Sequence, residues 1–100
     1  MEIIKETNGA QLTIEIKGRL DTNAAPKLID ELNKLLVEGV ERFVLDMKDC
    51  DYVASSGLRA ILGAQKQMNV LQGEMIVKNV MEDVMEVFEM TGFVDILTFE

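Results

Sequence analysis

The sequence predicts a single α/β domain, with a mixed β-sheet built from an N-terminal hairpin plus βα units and helices packed mainly on one face. Three observations carry that reading. Asn8-Gly9 stands between two segments of alternating character, the short-range signature of a hairpin. Beyond it, helix-period segments alternate with short apolar runs, an order that forces parallel strands joined by right-handed crossovers. A lone proline, Pro26, and scattered glycines leave no linker, so residues 1–100 read as one domain.

The elements follow in chain order. Residues 2–7 and 11–17 form the hairpin; Leu12, Ile14 and Ile16 point one way while Thr13, Glu15 and Lys17 point the other, giving one wet face. Gly18-Arg19-Leu20-Asp21 breaks the alternation. Thr22 or Asn23 suits the N-cap of the first helix, and Pro26 fits its first turn. Leu28, Leu32, Leu35 and Leu36 make a stripe facing a core, and Gly39 reads as the residue that ends the helix. Residues 42–47 form a strand whose run Phe43-Val44-Leu45 shows no alternation, as expected for a central strand covered on both faces.

The polar stretch 46–51 reads as a loop leading to Tyr52-Val53 and a second helix from about Ser56 to about Met68. A turn at Gly73 and a strand over residues 74–78 come next. Met81, Val84, Met85 and Phe88 mark a third helix, with Asn79 as a candidate cap and Glu82 and Asp83 near its positive end. Thr91-Gly92 stops that helix, and residues 93–99 supply a last short strand, for the order ββαβαβαβ.

Composition narrows the function. Hydrophobic content of 48% with 28% charged residues suits a folded globular chain. The apolar runs are shorter than a membrane span needs and the N-terminus has no signal-peptide pattern, so neither membrane insertion nor export is expected. One cysteine, Cys50, allows no internal disulfide, and the expected compartment is the cytoplasm. A net charge of −8 argues against nucleic acid, whose phosphates would be repelled. With no histidine, His-dependent triads and His-based metal sites are excluded; no metal and no cofactor are expected.

The chain centres on Tyr52-Val53-Ala54-Ser55-Ser56-Gly57-Leu58-Arg59, where a strand's outgoing loop becomes a helix. A helix start presents free N–H groups to an anion. Catalysis is a weak reading. Asp21, Asp46, Asp49 and Asp51 fall near helix starts but lack a nucleophile partner, and Ser-Ser-Gly is not a hydrolase elbow. Cys50 stands between Asp49 and Asp51, whose charges raise a thiol pKa and make the thiolate scarcer, and reads as a structural or incidental thiol. The late methionines read first as core filler; Met85, Phe88, Met90 and Phe93 are the alternative, a docking patch. The serines admit two readings. Serine is a common N-cap. Equally, a phosphate at a helix N-terminus is tolerated by the fold while repelling a partner packed there.

The stretch from Tyr52 to Leu62 resembles the phosphorylation-site motif of bacterial anti-sigma factor antagonists, whose domain is called STAS, for sulphate transporter and anti-sigma factor antagonist. The resemblance runs along nearly the whole chain. Gly18-Arg19-Leu20-Asp21 looks like the family's Gly-x-Leu-Asp segment, Phe43-Val44-Leu45-Asp46 like its central strand, and Val87 to Gly92 like the end of its third helix. The resemblance implies a transcription regulator rather than an enzyme. Unphosphorylated, it binds an anti-sigma factor that is also a serine kinase; phosphorylation ends the interaction, and a metal-dependent serine phosphatase restores it. Matching on Gly57-Leu58 places the phospho-acceptor at Ser55, with Ser56 the alternative, and implies a docking surface that includes Asp21, Thr22 and Leu58; Ser56, Gly57 and Ile61 on the same helix start complete the expected partner surface. Ala54 stands where many relatives carry aspartate, and many relatives continue into a further helix where this chain ends at Glu100. Two other readings remain. One is a non-phosphorylated STAS scaffold or accessory subunit of a lipid ABC transporter; the other is a small-ligand or nucleotide binder at the Ser55 helix start.

Overall fold

The computed structural model describes residues 1–100. Strands β1 (Glu2–Asn8) and β2 (Gln11–Leu20) pair antiparallel, with Asn8 opposite Gln11. The turn is therefore Gly9-Ala10, one residue later than Asn8-Gly9. Gly9 takes the first turn position at φ 62°, where a side chain would be strained, and Asn8 stays in the ladder.

Strand β3 (Arg42–Val53) lies parallel to β2 on one side and to β4 (Glu74–Lys78) on the other, giving the sheet order β1-β2-β3-β4. It is twelve residues long, because the polar stretch after Asp46 continues the strand instead of forming the expected loop. The pairing with β2 slips twice: Glu15 faces Asp46 but Lys17 faces Asp49, and Gly18 faces Cys50 but Arg19 faces Tyr52. These bulges replace the strand's period of two by a spacing of three, so Met47, Cys50 and Val53 all turn inward while charged residues stay outside. A period-two reading cannot see such a strand.

Helices α1 (Ala25–Leu35), α2 (Ser55–Val70) and α3 (Glu82–Met90) pack on the sheet face that carries Ile14, Ile16, Phe43, Leu45, Met47 and Val77. The other face bears Thr13, Glu15, Asp46 and Lys78 around a narrow apolar line of Val44 and Ile76, 5% and 4% exposed yet outside the main core. The sheet is thus mixed and covered by helices on one side, as the sequence predicts.

Helix boundaries depart from expectation where capping was inferred from residue type. The N-cap of α1 is Ala24, not Thr22 or Asn23, because the Asp21 carboxylate already accepts the amides of Asn23 at 3.1 Å and Ala24 at 2.9 Å. Gly39 lies three residues past the C-cap, Leu36, and serves the following turn at φ 106°. Met81, not Asn79, caps α3; Asn79 sits in the left-handed region at φ 59° and donates its side-chain amide to Asp46 Oδ1 at 3.2 Å.

The last strand is also absent as such. Residues Phe93–Asp95 form a 3₁₀ turn, with the amides of Ile96 and Leu97 both reaching the carbonyl of Phe93. This fold-back buries Leu97, and the Phe99 ring lies 5.3 Å from that of Phe88. The pairing that remains is a single bridge of Phe99 to Val77, whose N–H donates to Thr98 O and whose carbonyl accepts from Glu100 N, both at 2.9 Å. Phe88 is fully buried and Met90 is 86% exposed, so Met85, Phe88, Met90 and Phe93 form no common surface patch. Met47, Met68 and Met75 are core filler. No helix is long and apolar enough to cross a membrane.

Candidate functional site

The site is assembled where β2 and β3 outrun β4. Pairing with β4 stops at Asp46 opposite Lys78, whereas β2 and β3 remain paired as far as Leu20 opposite Val53. The Ala54 amide then donates to the Leu20 carbonyl at 2.9 Å. This bond sets the Asp21 turn beside the start of α2. Gly57 makes the approach possible: a Cβ there would stand 2.7 Å from Leu20 Cγ and 3.0 Å from Leu20 O.

Ala54 is the N-cap of α2, in extended conformation, and its carbonyl accepts the first helical bond from Leu58 N at 3.0 Å. Neither serine is the cap. Ser55 and Ser56 occupy the first two helical positions, whose amides, with that of Gly57, have no partner within the helix. The two hydroxyls differ. Ser55 is exposed, whereas Ser56 Oγ is enclosed and has no hydrogen-bond partner. An exposed hydroxyl at a positive helix end can accept a phosphoryl group and place it near free N–H donors.

The other expected docking residues divide. Asp21 is half-buried with one carboxylate oxygen committed to its own turn, and Thr22 beside it is exposed. Gly57 is buried against Leu20. Leu58 is 7% exposed and Ile61 fully buried, both in the main core. They hold α2 on the sheet, so they do not supply an apolar contact surface. Their helical spacing announced an inward face, and an inward face cannot also meet a partner. What the sequence did not single out is Arg19, whose guanidinium lies 4.1 Å from the ring centre of Tyr52 across the same strand pair. The register that brings them together depends on the second bulge, which the sequence does not announce.

Cys50 lies beneath this end of the sheet, its Sγ 3.5 Å from Tyr52 O. Burial pushes its thiol upward, with a further contribution from the Asp51 charge, against backbone hydrogen bonds from Tyr52 and Leu20 that act the other way. Charge from its acidic neighbours was the expected cause; burial is the larger one.

Fold and site together define a small α/β domain that displays a serine-bearing helix start at one end of a mixed sheet. The chain belongs to the STAS family, matching the STAS domain model over residues 2–100. It is 33% identical over 96 residues to BtrV of Bordetella bronchiseptica, a candidate anti-sigma factor antagonist, covering 96% of this chain and 83% of that one. It is 29% identical over 90 residues to the anti-sigma-B factor antagonist of Bacillus subtilis, covering 90% of this chain and 82% of the relative. Among solved structures it is similar to the Bacillus anti-sigma factor antagonist SpoIIAA, unphosphorylated and phosphorylated. The TM-score is 0.78 and the identity 18% in both cases, over 99% of this chain and 87% or 91% of the other. At that identity the likeness to SpoIIAA is one of fold.

Proposed function

We propose that this protein is an anti-sigma factor antagonist: it binds an anti-sigma factor when unphosphorylated and is released by phosphorylation of Ser55. The observation that carries this reading is the contrast between the two serines. Ser55 offers an exposed hydroxyl at the first position of α2, and Ser56 keeps its own enclosed. The docking surface is the exposed rim formed by the Asp21-Thr22 turn and the start of α2. A phosphate there adds nearly two negative charges beside Asp21 in a chain of net charge −8. Repulsion falls on the partner interface, while the helix end and its free amides keep the fold intact. The reciprocal enzymes proposed with this reading are a serine kinase resident in the anti-sigma factor and a metal-dependent serine phosphatase.

The test is a pull-down of wild type and Ser55→Asp from native lysate, read by mass spectrometry, followed by affinity measurements on the captured partner. The expected result is capture of an anti-sigma factor by wild type, with binding at least about a hundredfold weaker for Ser55→Asp. Circular dichroism and melting temperature should be nearly unchanged. Equal binding by the two proteins would remove the switch, and phosphate found on Ser56 by peptide mapping would move it.

A further inference from the structure

Helices α1 and α2 leave a half-open groove of about 230 Å³ between them, walled by Ile29, Leu32 and Leu36 on one side and by Ala60 and Ala64 on the other. Gly63 forms part of its lining. Every other glycine in the chain has a structural reason: four adopt positive φ, and Gly57 and Gly73 sit too close to neighbouring atoms to admit a side chain. Gly63 has neither. It lies inside α2 with ordinary helical backbone, and a Cβ there would meet nothing within 4 Å. Glycine in a helix interior costs about 1 kcal/mol relative to alanine. What that absence of a side chain does achieve is to keep the groove open.

The groove also has a polar end. Arg59, one turn before Gly63 on the same helix face, lines it and takes part in none of the ion pairs, which join Lys5 to Glu31, Arg42 to Glu74 and Glu100, and Lys48 to Glu15. Of the three arginines, Arg42 pairs with carboxylates and Arg19 lies over the Tyr52 ring, whereas Arg59 has neither kind of partner. One turn beyond Gly63, Gln67 donates Nε2 to Leu36 O at 3.0 Å and ties the two helices together there. The trough therefore has apolar walls, a glycine gap and a free cation. An arginine stem lies along apolar surface while its planar head meets a carboxylate through two parallel hydrogen bonds. At the ~30 Å³ share of a water molecule, the volume suits on the order of eight non-hydrogen atoms.

We infer that the α1–α2 groove binds a small anionic amphiphile, a medium-chain carboxylate whose headgroup pairs with Arg59 and whose alkyl chain occupies the gap left by Gly63. This site stands apart from the Ser55 switch and does not depend on it. Titration of ¹⁵N-labelled protein with octanoate, followed by NMR, tests it, with 1-octanol as the uncharged probe. Saturable shifts are expected at Arg59, Gly63 and Gln67. Octanoate should bind at least about tenfold more tightly than octanol, and Arg59→Gln should remove that preference. Gly63→Leu should abolish binding without lowering the melting temperature, and Gly63→Ala, which adds one methyl group, should weaken it while raising the melting temperature. Absence of saturation, shifts located elsewhere, equal binding of the alcohol, or unimpaired binding by Gly63→Leu would each overturn the inference. So would failure of octanoate to bind combined with loss of a protein partner on Gly63→Leu, which would make the groove a seat for that partner's side chain.

Discussion

Leu20 and Gly57 meet so closely that the bare Cα of the glycine is the condition for joining the end of β2 to the start of α2. The Leu20 side chain is fully buried, and its carbonyl is held by the Ala54 amide. Neither atom that crowds Gly57 is free to withdraw. Gly57→Ala should therefore destabilise the domain by about 1–3 kcal/mol, read as a lower midpoint in urea. Combining it with Leu20→Ala should give less than the sum of the two effects, because part of the clash disappears with the leucine.

Asp21 holds its own turn together and also carries a charge at the proposed docking rim, and two substitutions separate these roles. Asp21→Ala removes the acceptor of the Asn23 and Ala24 amides and should lower stability by about 1 kcal/mol. Asp21→Asn keeps an oxygen acceptor and should leave the melting temperature close to wild type. If the carboxylate meets a basic group on the partner, both variants bind it more weakly.

The enclosed Ser56 hydroxyl has no partner, so its removal should help the fold. Ser56→Ala is expected to gain about 1 kcal/mol, from relief of a buried unpaired polar group and from alanine's better helix propensity. Phosphorylation at Ser55 should persist in this variant, as measured by peptide mapping.

Cys50 should react with a thiol reagent such as Ellman's reagent only at the rate at which the native protein opens, because its sulfur is buried. Its pH effect has a definite sign. In the unfolded chain the thiol ionises near the ordinary value of 9.0, and in the folded one only at higher pH. Between the two, the unfolded state binds fewer protons, so stability falls as pH rises above about 9. Cys50→Ala should remove that part of the alkaline decline in denaturation midpoint.

The order of elements and the single helix-covered face were readable in the hydrophobic pattern, since Leu28 and Leu32 keep helical spacing and Leu12, Ile14 and Ile16 alternate. What escaped the pattern has local causes. Caps inferred from Thr22, Asn23 and Asn79 gave way to an aspartate turn and to a left-handed asparagine. The polar end of β3 has the pattern of a loop because two bulges put its inward residues three apart. At the site, the choice of Ser55 as the proposed acceptor rests on its neighbours Gly57 and Leu58. The contrast in exposure between Ser55 and Ser56 follows from the packing of α2 on β2 and β3, which no local pattern encodes. Ile61, expected at the docking surface, has the helical spacing of an inward face and is fully buried.

The bulged end of β3 gives the protein a division of labour between body and tip. Four strands share the ladder up to Asp46, β1 stays paired as far as Lys17 opposite Asp49, and only β2 and β3 carry on to Leu20 and Val53. The tip can thus be lengthened, shortened or turned by changing paired residues in two strands, while the body beneath it keeps its register. A partner meeting this tip would touch two parallel strands and one helix start, so its fit can be altered there while the body keeps its fold.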